Sequence, residues 1–211
     1  MQAIEPISDQ QSKVIKTASK LFIEQGVRTV TMDEIATVLG MSKKTLYLLF
    51  RNKADIVFHS VQIELAQKRQ EILQITSLDY EPIREMLELG KLNAQTFKSF
   101  SAGSLDDLRR FYPEAWRLVD NFKEDEIYKQ LLCNLKRGIQ SGDYRDNLNP
   151  DILSHIYISL LDSVIMQHSF LKTGISLDTV YKENLLMHIY SICSDQGRNK
   201  LETLLKTEDF S

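Results

Sequence analysis

The chain has 211 residues, 43% of them apolar and 26% charged, and its formal net charge at pH 7 is -3. This length and apolar content predict an ordinary globular protein with one large domain or two small ones. The net negative charge excludes a protein coated in basic residues, so any nucleic-acid surface must be local. Residues 1–60 carry 8 Lys and Arg against 6 Asp and Glu, a net +2, whereas residues 61–211 carry 18 against 23, a net -5.

The cysteines and the N-terminus bear on the cellular compartment. Cys133 and Cys193 lie far apart and lack the spacing of metal ligands, which predicts two buried, unreactive thiols and neither a disulfide nor a zinc site. The first residues, MQAIEPISDQQSK, lack the basic and apolar regions of a signal peptide, and no window is apolar for long enough to span a membrane. We therefore expect a cytoplasmic protein without membrane contact.

Helical spacing of apolar residues recurs from end to end, and no alternating strand pattern of any length occurs. The fold class is therefore predicted as all-α. A first helix, capped by Ser8 or Asp9, is predicted to end near Gly26. Its apolar face contains Val14, Ile15, Ala18, Leu21 and Phe22.

The stretch from Thr31 to Phe50 predicts two short helices around a tight turn. Thr31 and Glu34 have the spacing of a capping box, Gly40 can adopt the positive φ that ends a helix, and Ser42 can cap the next one. The residues expected to face inward are Ile35, Ala36, Leu39, Leu46 and Phe50. Asn52 is expected to cap a fourth helix that continues towards Ile75.

The remaining chain predicts further helices, several of them opened by proline. These are a helix from Pro82, a loop at Ser99–Ser104, a short helix to Phe111, one long helix from Pro113 to about Ile139 ended by Gly142, a helix from Pro150 to about Lys172, one capped by Ser176 from Leu177 to about Ser194, and a tail helix after Gly197.

Two helices joined by a short turn containing glycine predict a helix-turn-helix unit, whose second helix lies in the DNA major groove. Lys43, Lys44 and Thr45 open that helix and can meet base edges. Four residues are expected to contact phosphates: Thr31, Ser42, Tyr47 and Lys53.

These residues resemble a known family. TMDEIA at Thr31–Ala36, followed by GMSKKTLYLLFRNKADIV from Gly40, is similar to the N-terminal DNA-binding domain of the TetR family of one-component transcriptional regulators, over roughly Lys13 to Val61. The resemblance implies an all-α homodimer that binds a palindromic double-stranded DNA operator, usually represses, and dissociates when a small molecule enters a C-terminal pocket. It implies a helix-turn-helix domain at residues 1–55 and a helical ligand-sensing and dimerisation domain at residues 56–211.

By position in the family's motif, Thr31, Ser42, Tyr47 and Lys53 match positions that usually touch phosphates, and Lys43, Lys44 and Thr45 match those near bases. Two departures stand out. Lys44 replaces a glycine or small residue that the family often has, and Leu48 and Leu49 replace a histidine or other polar residues. These positions are where we expect the DNA preference to depart from that of relatives. Gly142-Asp-Tyr-Arg followed by Asn149-Pro-Asp is loosely similar to the junction before the family's dimerising helices.

The helices after Pro150 and Ser176 carry apolar residues around most of their circumference. Such a surplus favours a subunit interface, most simply a twofold four-helix bundle, over the alternative of a central core helix within one chain. The interface residues expected on this basis are Ile158, Leu161, Ile165, His168, Leu186, Ile189 and Tyr190.

A ligand pocket is expected among the helices from about Ala54 to Lys172, lined mostly by apolar and aromatic groups. The apolar and aromatic candidates, for each of which core packing is the alternative, are Phe97, Phe111, Tyr112, Trp116, Phe122, Tyr157 and Met166. Asp162 is a further candidate, and on an apolar helix its carboxylate must be paired, exposed at a helix end, or a polar element of an interface or pocket. No ligand class follows from them.

An enzyme is the competing class. His59, His155, His168 and His188 form no metal-binding or catalytic pattern, and no phosphate-binding glycine loop or nucleophile motif occurs, so we expect no enzyme, no cofactor and no metal. A further alternative is a helical dimer that acts through protein contacts without specific DNA binding, which Leu48 and Leu49 leave open.

Overall fold

The fold consists of helices and the turns between them. The computed structural model describes residues 7–99, 104–166 and 174–207, and in these ranges the only strand-like feature is one isolated bridge between Tyr144 and Cys193. The all-α prediction is therefore confirmed. No helix within these ranges is long and apolar enough to cross a membrane.

The chain divides into two compact units. The first holds the described residues up to Ala66 together with 104–119, and the second holds the described residues of 67–99 and 120–211. Helices of the first unit are α1 (Asp9–Gln25), α2 (Met32–Val38), α3 (Lys43–Leu49), the first part of α4 (Lys53–Thr76), α6 (Ser104–Phe111) and most of α7 (Pro113–Phe122). A DNA-binding domain limited to residues 1–55 remains a prediction.

Local capping determines where the first helices begin. The Ser8 side chain caps α1 in a capping box with Gln11, and the Thr31 hydroxyl accepts a hydrogen bond from the Glu34 amide at 3.2 Å while a Glu34 carboxylate oxygen accepts from the Thr31 amide at 2.7 Å. The Ser42 hydroxyl accepts from the Thr45 amide at 3.0 Å. These caps and the positive φ of Gly40, +64°, confirm the predicted starts and turn.

The core of the first unit is the one predicted from helical spacing. All five apolar residues of the α1 face are buried, as are Ile35 and Ala36 on α2, while Leu39 is half-buried. Leu46 and Phe50 are buried as well, so one side of α3 is fixed against the other helices and its opposite side is left exposed.

The second unit packs around one central helix. Its elements are the rest of α4, α5 (Pro82–Ser99), a π-helical turn (Lys123–Ile127), α8 (Tyr128–Gln140), α9 (Pro150–Met166), α10 (Leu177–Ile192) and α11 (Asp195–Thr207). Helix α10 packs against α5 and α9, and α8 packs against the same two helices. Leu185, Ile189 and Ile192 of α10 are fully buried, which explains much of the apolar surplus on this helix.

Two predicted boundaries and one predicted cap need correction. The long helix from Pro113 is interrupted by the π-helical turn, in which Lys123 forms ion pairs with Asp120 at 2.9 Å and with Asp162 of α9 at 2.5 Å. Ser176 precedes α10, but its side chain makes no capping bond to the backbone. Helix α11 starts at Asp195 and contains Gly197.

Gly197 lies inside α11 because a larger residue would not fit there. A Cβ atom at this position would come within 1.9 Å of the carbonyl oxygen of Asp143. Asp143 is buried, and its backbone carbonyl accepts a hydrogen bond from the Ser194 amide at 3.0 Å. The missing side chain therefore allows α11 to dock on the segment that follows α8.

Some predictions fall outside the described residues or fail on exposure. Residues 100–103 of the predicted loop and residues 167–172 of the predicted Pro150 helix are not among the described residues. Both cysteines are free, but only Cys193 is buried, since Cys133 is exposed on α8. The prediction of two buried thiols is therefore wrong for Cys133, which lies on the solvent side of an amphipathic helix.

Candidate nucleic-acid interface

Helix α3 presents a short exposed face to solvent. Lys43, Lys44, Tyr47 and Leu48 are exposed, and Thr45 is half-buried. Since Leu46 and Phe50 hold the opposite side in the core, the exposed side chains project in a fixed direction. The structure thus brings five of the predicted DNA-contacting positions, Ser42 included, onto one small helix and its cap.

The two lysines at the start of α3 differ in their surroundings. The ammonium group of Lys43 lies 2.7 Å from a carboxylate oxygen of Asp33 on α2, and this hydrogen bond, together with the charge of Asp33, raises the Lys43 pKa. Lys44 makes no ion pair or side-chain hydrogen bond with any described residue. Lys44 is therefore the lysine whose charge is fully available to a ligand.

Two of the three hydroxyls expected at phosphates already take part in capping. Thr31 Oγ1 donates to a Glu34 carboxylate oxygen at 3.0 Å, and the hydroxyls of Ser42 and Thr45 lie 2.8 Å apart. Thr31 and Ser42 are exposed, so these hydroxyls remain accessible from solvent. Their first role is to set the starts of α2 and α3.

The Lys53 side chain contacts other residues of the first unit, which the sequence did not indicate. Its ammonium group donates to the Arg28 carbonyl at 3.0 Å and lies 5.9 Å from the centre of the Tyr112 ring. Burial lowers its pKa. The lysine thus helps to hold the first unit together, and phosphate contact by Lys53 remains a prediction.

The predicted ligand-pocket residues are divided between the two units. Phe111, Tyr112 and Trp116 belong to the first unit, where the Arg28 guanidinium lies 5.1 Å from the Phe111 ring centre. Phe97 stacks against Tyr181 with ring centres 5.1 Å apart, Asp162 is paired with Lys123, and Phe122 lies under the Arg69 guanidinium. The Met166 side chain is outside the described residues. Spacing along a helix does not determine which unit a helix joins, and a common pocket lined by these residues remains a prediction.

The second unit contains a cavity of about 50 Å³. Of the predicted pocket residues, Tyr157 alone is among the described residues that line it. The described lining comprises Ile72, Met86, Leu89, Asn93, Ile127, Gln130, Leu131, Asn134 and Tyr157. None of these side chains carries a formal charge, and three amides interrupt an otherwise apolar wall.

Buried polar groups lie behind Tyr157. Its hydroxyl lies 3.0 Å from that of Tyr181, which in turn accepts a hydrogen bond from the Asn93 amide at 3.3 Å. The His188 ring is centred 4.9 Å from the Tyr157 ring, and its buried Nε2 has no hydrogen-bond partner. Burial lowers the pKa of His188 from 6.5 to about 4 and raises the pKa of Tyr157.

The low pKa of His188 makes the folded chain sensitive to acid. The unfolded chain takes up a proton near pH 6.5 and the folded chain only near pH 4, so lowering the pH from 7 to 5 reduces the free energy of unfolding by roughly 2 kcal/mol through this residue. Urea unfolding at both pH values should show that His188→Phe loses this part of the pH dependence while the exposed-residue control His155→Gln keeps it. Equal pH dependence in wild type and His188→Phe would contradict the assignment.

The predicted interface residues fall into two groups. Leu161 and Ile189 are buried in the core of the chain itself, so they leave no surface for a partner, whereas Ile158, Leu186 and Tyr190 are half-buried. His168 and the Ile165 side chain lie outside the described residues. The structure instead exposes Ile152 and Ile156 on α9 and Met187 on α10. Ile156 belongs to an apolar stripe of its helix, but spacing alone does not show which stripe faces outward.

Comparisons with known proteins all match bacterial transcriptional regulators. Residues 14–59 match the family described as bacterial regulatory proteins, tetR family. The chain is 32% identical over 129 residues to the HTH-type transcriptional regulator SAB2452 of Staphylococcus aureus (strain bovine RF122 / ET3-1), covering 56% of this chain and 70% of that protein. It is 28% identical over 177 residues to the HTH-type transcriptional regulator YvaF of Bacillus subtilis (strain 168), covering 80% and 90%.

A solved structure extends the likeness to the whole fold. A transcriptional regulator from Saccharomonospora viridis, crystallised in complex with choline, superimposes with a TM-score of 0.72 at 18% identity. The match covers 88% of this chain and 98% of that one. At this identity the likeness concerns the fold of both chains, including the helices after the DNA-binding unit.

Proposed function

We propose that this chain, a member of the TetR family of bacterial transcriptional regulators, binds a palindromic operator as a homodimer, represses transcription there, and dissociates when a small uncharged molecule enters the second unit. Its helix-turn-helix DNA-binding domain and its role as a transcriptional regulator come with the family. The operator, the dimer, the repression and the ligand are proposals.

One observation carries the DNA-binding part. The exposed face of α3 holds Lys44, which no described residue pairs, beside a buried side that fixes the helix in place. A cationic side chain on a rigid helix that fits the major groove can donate to guanine O6 and N7. Residues 61–211 carry a net charge of -5, so we expect no broad basic surface for DNA beyond the N-terminal helices.

Selection from random duplex DNA tests this part. We expect enrichment of a palindrome whose half-sites are about one helical turn apart or somewhat more, with an affinity that falls steeply as salt rises. A helical dimer that acts through protein contacts would enrich no sequence, and such a result would refute the proposal in favour of that alternative.

The ion pair between Lys43 and Asp33 gives a second expectation. Asp33→Asn should raise operator affinity by about threefold per half-site, because the carboxylate that offsets the Lys43 charge is removed and an exposed ion pair of this kind is weak. Glu24→Gln is the matched control, since it removes a carboxylate paired with Lys20 on α1 at 3.8 Å. Fluorescence anisotropy with a labelled operator measures both, and a loss of affinity in Asp33→Asn would show instead that Asp33 orients Lys43 for binding.

The exposed apolar side chains of α9 and α10 support the dimer. Ile152, Ile156 and Met187 are each about half exposed in the single chain, and large apolar side chains on neighbouring helices are typical of subunit interfaces. We expect sedimentation at micromolar concentration to give twice the chain mass of 24.4 kDa. Ile156→Asp should shift the protein towards monomer, whereas Leu73→Asp, an equally exposed site on α4, should not. A wild-type monomer would refute the proposed interface.

The cavity in the second unit supports an uncharged ligand. Its described lining carries no charge, and the neighbouring carboxylate of Glu85 is already paired with Arg137 at 2.8 Å and bonded by Asn134. A buried ligand charge would therefore stay uncompensated, at a cost of several kcal/mol. The choline seen in the Saccharomonospora viridis regulator is not expected here, because quaternary ammonium groups favour cages of aromatic rings and Tyr157 is the single aromatic residue in the described lining.

The cavity must widen to take a ligand. Its volume of about 50 Å³ is well below the roughly 300 Å³ at which ligand pockets begin. Ile127, the last residue of the π-helical turn, is part of its wall, and π-helical turns inside helices frequently lie at functional sites. We place the opening of the cavity at this turn.

A matched series of probes tests the ligand class. Hexanamide, hexanoate and hexylammonium have the same chain length and differ in charge. We expect hexanamide to raise the melting temperature of the protein and the two ions to bind at least tenfold more weakly, because their charges would be buried without partners. Leu131→Trp, which fills the cavity, should abolish the effect of hexanamide. Stronger stabilisation by either ion would refute the uncharged class.

A further inference from the structure

Leu48 is placed where a leucine has no structural use. It is 79% exposed, the highest exposure among the large apolar side chains that the structure describes. Leu46 and Phe50, on the opposite side, supply the packing of α3. Because the Leu48 side chain stays in water, it adds almost no hydrophobic free energy to the fold. Single exposed apolar residues are common on protein surfaces. Its position on the helix, and not its exposure alone, therefore indicates a function for Leu48.

Leu48 lies on the face of α3 that holds Lys44. Residues four apart on a helix are neighbours on one side, and the two positions are separated by about 6 Å along the helix axis. Base pairs follow one another every 3.4 Å along DNA. When Lys44 reaches a base edge, the Leu48 side chain therefore reaches an edge no more than about two base pairs away.

We propose that Leu48 reads the C5-methyl group of a thymine in each operator half-site. This inference rests on the proposed function, because it requires α3 to enter the major groove. Thymine is the base that offers an apolar group in that groove, and leucine has neither donor nor acceptor with which to prefer another base. Over cytosine or a purine, the leucine would displace water from polar groups without replacing their hydrogen bonds.

Uracil substitution isolates the methyl group. Uracil keeps every hydrogen-bonding group of thymine and lacks the methyl, so duplexes of the selected operator with one thymine replaced at a time report methyl contacts alone. We expect one position per half-site at which the substitution weakens binding about fourfold, the value of one buried methyl-sized group. Replacement in both half-sites should weaken binding about fifteenfold.

The leucine is assigned by a pair of variants. Leu48→Ala should bind the thymine and uracil operators equally, and its high exposure means that the change leaves the fold intact. Leu73→Ala, which truncates an exposed leucine on α4, should keep the full preference for thymine. Anisotropy titrations at one salt concentration measure all four combinations.

The outcomes separate this inference from the proposed function. If the wild type selects an operator but tolerates uracil at every position, or if Leu48→Ala still distinguishes thymine from uracil, the reading of a methyl group by Leu48 is overturned and operator binding stands. If no sequence is enriched, the proposed function fails and the inference fails with it.

Discussion

Lys44→Ala should weaken operator binding about 100-fold in the dimer, the largest functional effect we expect from a single substitution in this chain. A lysine that donates to a base edge contributes about 1–3 kcal/mol, and a twofold dimer loses the contact in both half-sites. The unpaired state of Lys44 among the described residues means that the variant loses a contact with DNA and no contact within that part of the protein. Alanine also favours the helix more than lysine does, so α3 is kept.

The same titrations, repeated at several salt concentrations, show what Lys44 touches. A base contact predicts relaxed preference at one operator position, whereas a phosphate contact predicts a uniform loss and a salt dependence reduced by about one ion per half-site. Lys20→Ala is the control, since it removes another exposed lysine, on α1, with the same change in net charge. Lys43→Ala should have the smaller effect of the two neighbouring lysines, because Asp33 already offsets its charge. Affinity unchanged by Lys44→Ala would remove this residue from the interface.

Gly197→Ala should lower the free energy of unfolding by more than about 3 kcal/mol, the largest effect on stability that we expect from one added methyl group. The new Cβ would lie 1.9 Å from the Asp143 carbonyl oxygen, which is far inside contact distance. Asp143 cannot move away easily, because its carboxylate is bonded by the Ser141 hydroxyl at 2.9 Å and the next residue, Tyr144, is buried with its amide bonded to the Gly138 carbonyl at 2.9 Å. Helix α11 must therefore shift from its place.

Urea unfolding followed by circular dichroism measures this loss. Asn199→Ala is the control in the same helix: its side chain is exposed, and alanine there should leave stability unchanged or slightly raised. If the free energy of unfolding of Gly197→Ala lies within about 0.5 kcal/mol of the wild-type value, α11 docks more loosely than the structure shows.

The first four helices can be predicted from sequence because their limits are local. Thr31 and Glu34 cap α2 through atoms three residues apart, and Gly40 and Ser42 turn the chain without help from distant residues. The burial of Leu46 and Phe50 follows from the same short-range spacing. The residues that open α3 therefore follow from the sequence alone, whereas the pairing of Lys43 with Asp33 does not.

The second unit can be predicted only in outline, because its details depend on residues far apart in sequence. The π-helical turn is held by Lys123 with Asp162 of α9 and by Arg69 with Glu126 at 3.0 Å, and none of these pairs is visible in the periodicity of one helix. From sequence, Gly197 indicates a helix end, because its close contact with the distant Asp143 backbone is not visible there. The prediction of Leu161 and Ile189 at a subunit interface is wrong because an apolar face does not indicate whether its partner lies in the same chain.

The unequal exposure of the two thiols makes it possible to measure the widening of the cavity that we propose for the second unit. Cys133 is exposed on α8, whereas Cys193 is buried and its pKa is raised to about 11 by burial, so a maleimide probe attaches at a single place without any engineering. In a twofold dimer, one label per chain reports one distance between subunits. Spin or dye labels at Cys133 can therefore follow the second unit as ligand is added, in the unmodified sequence.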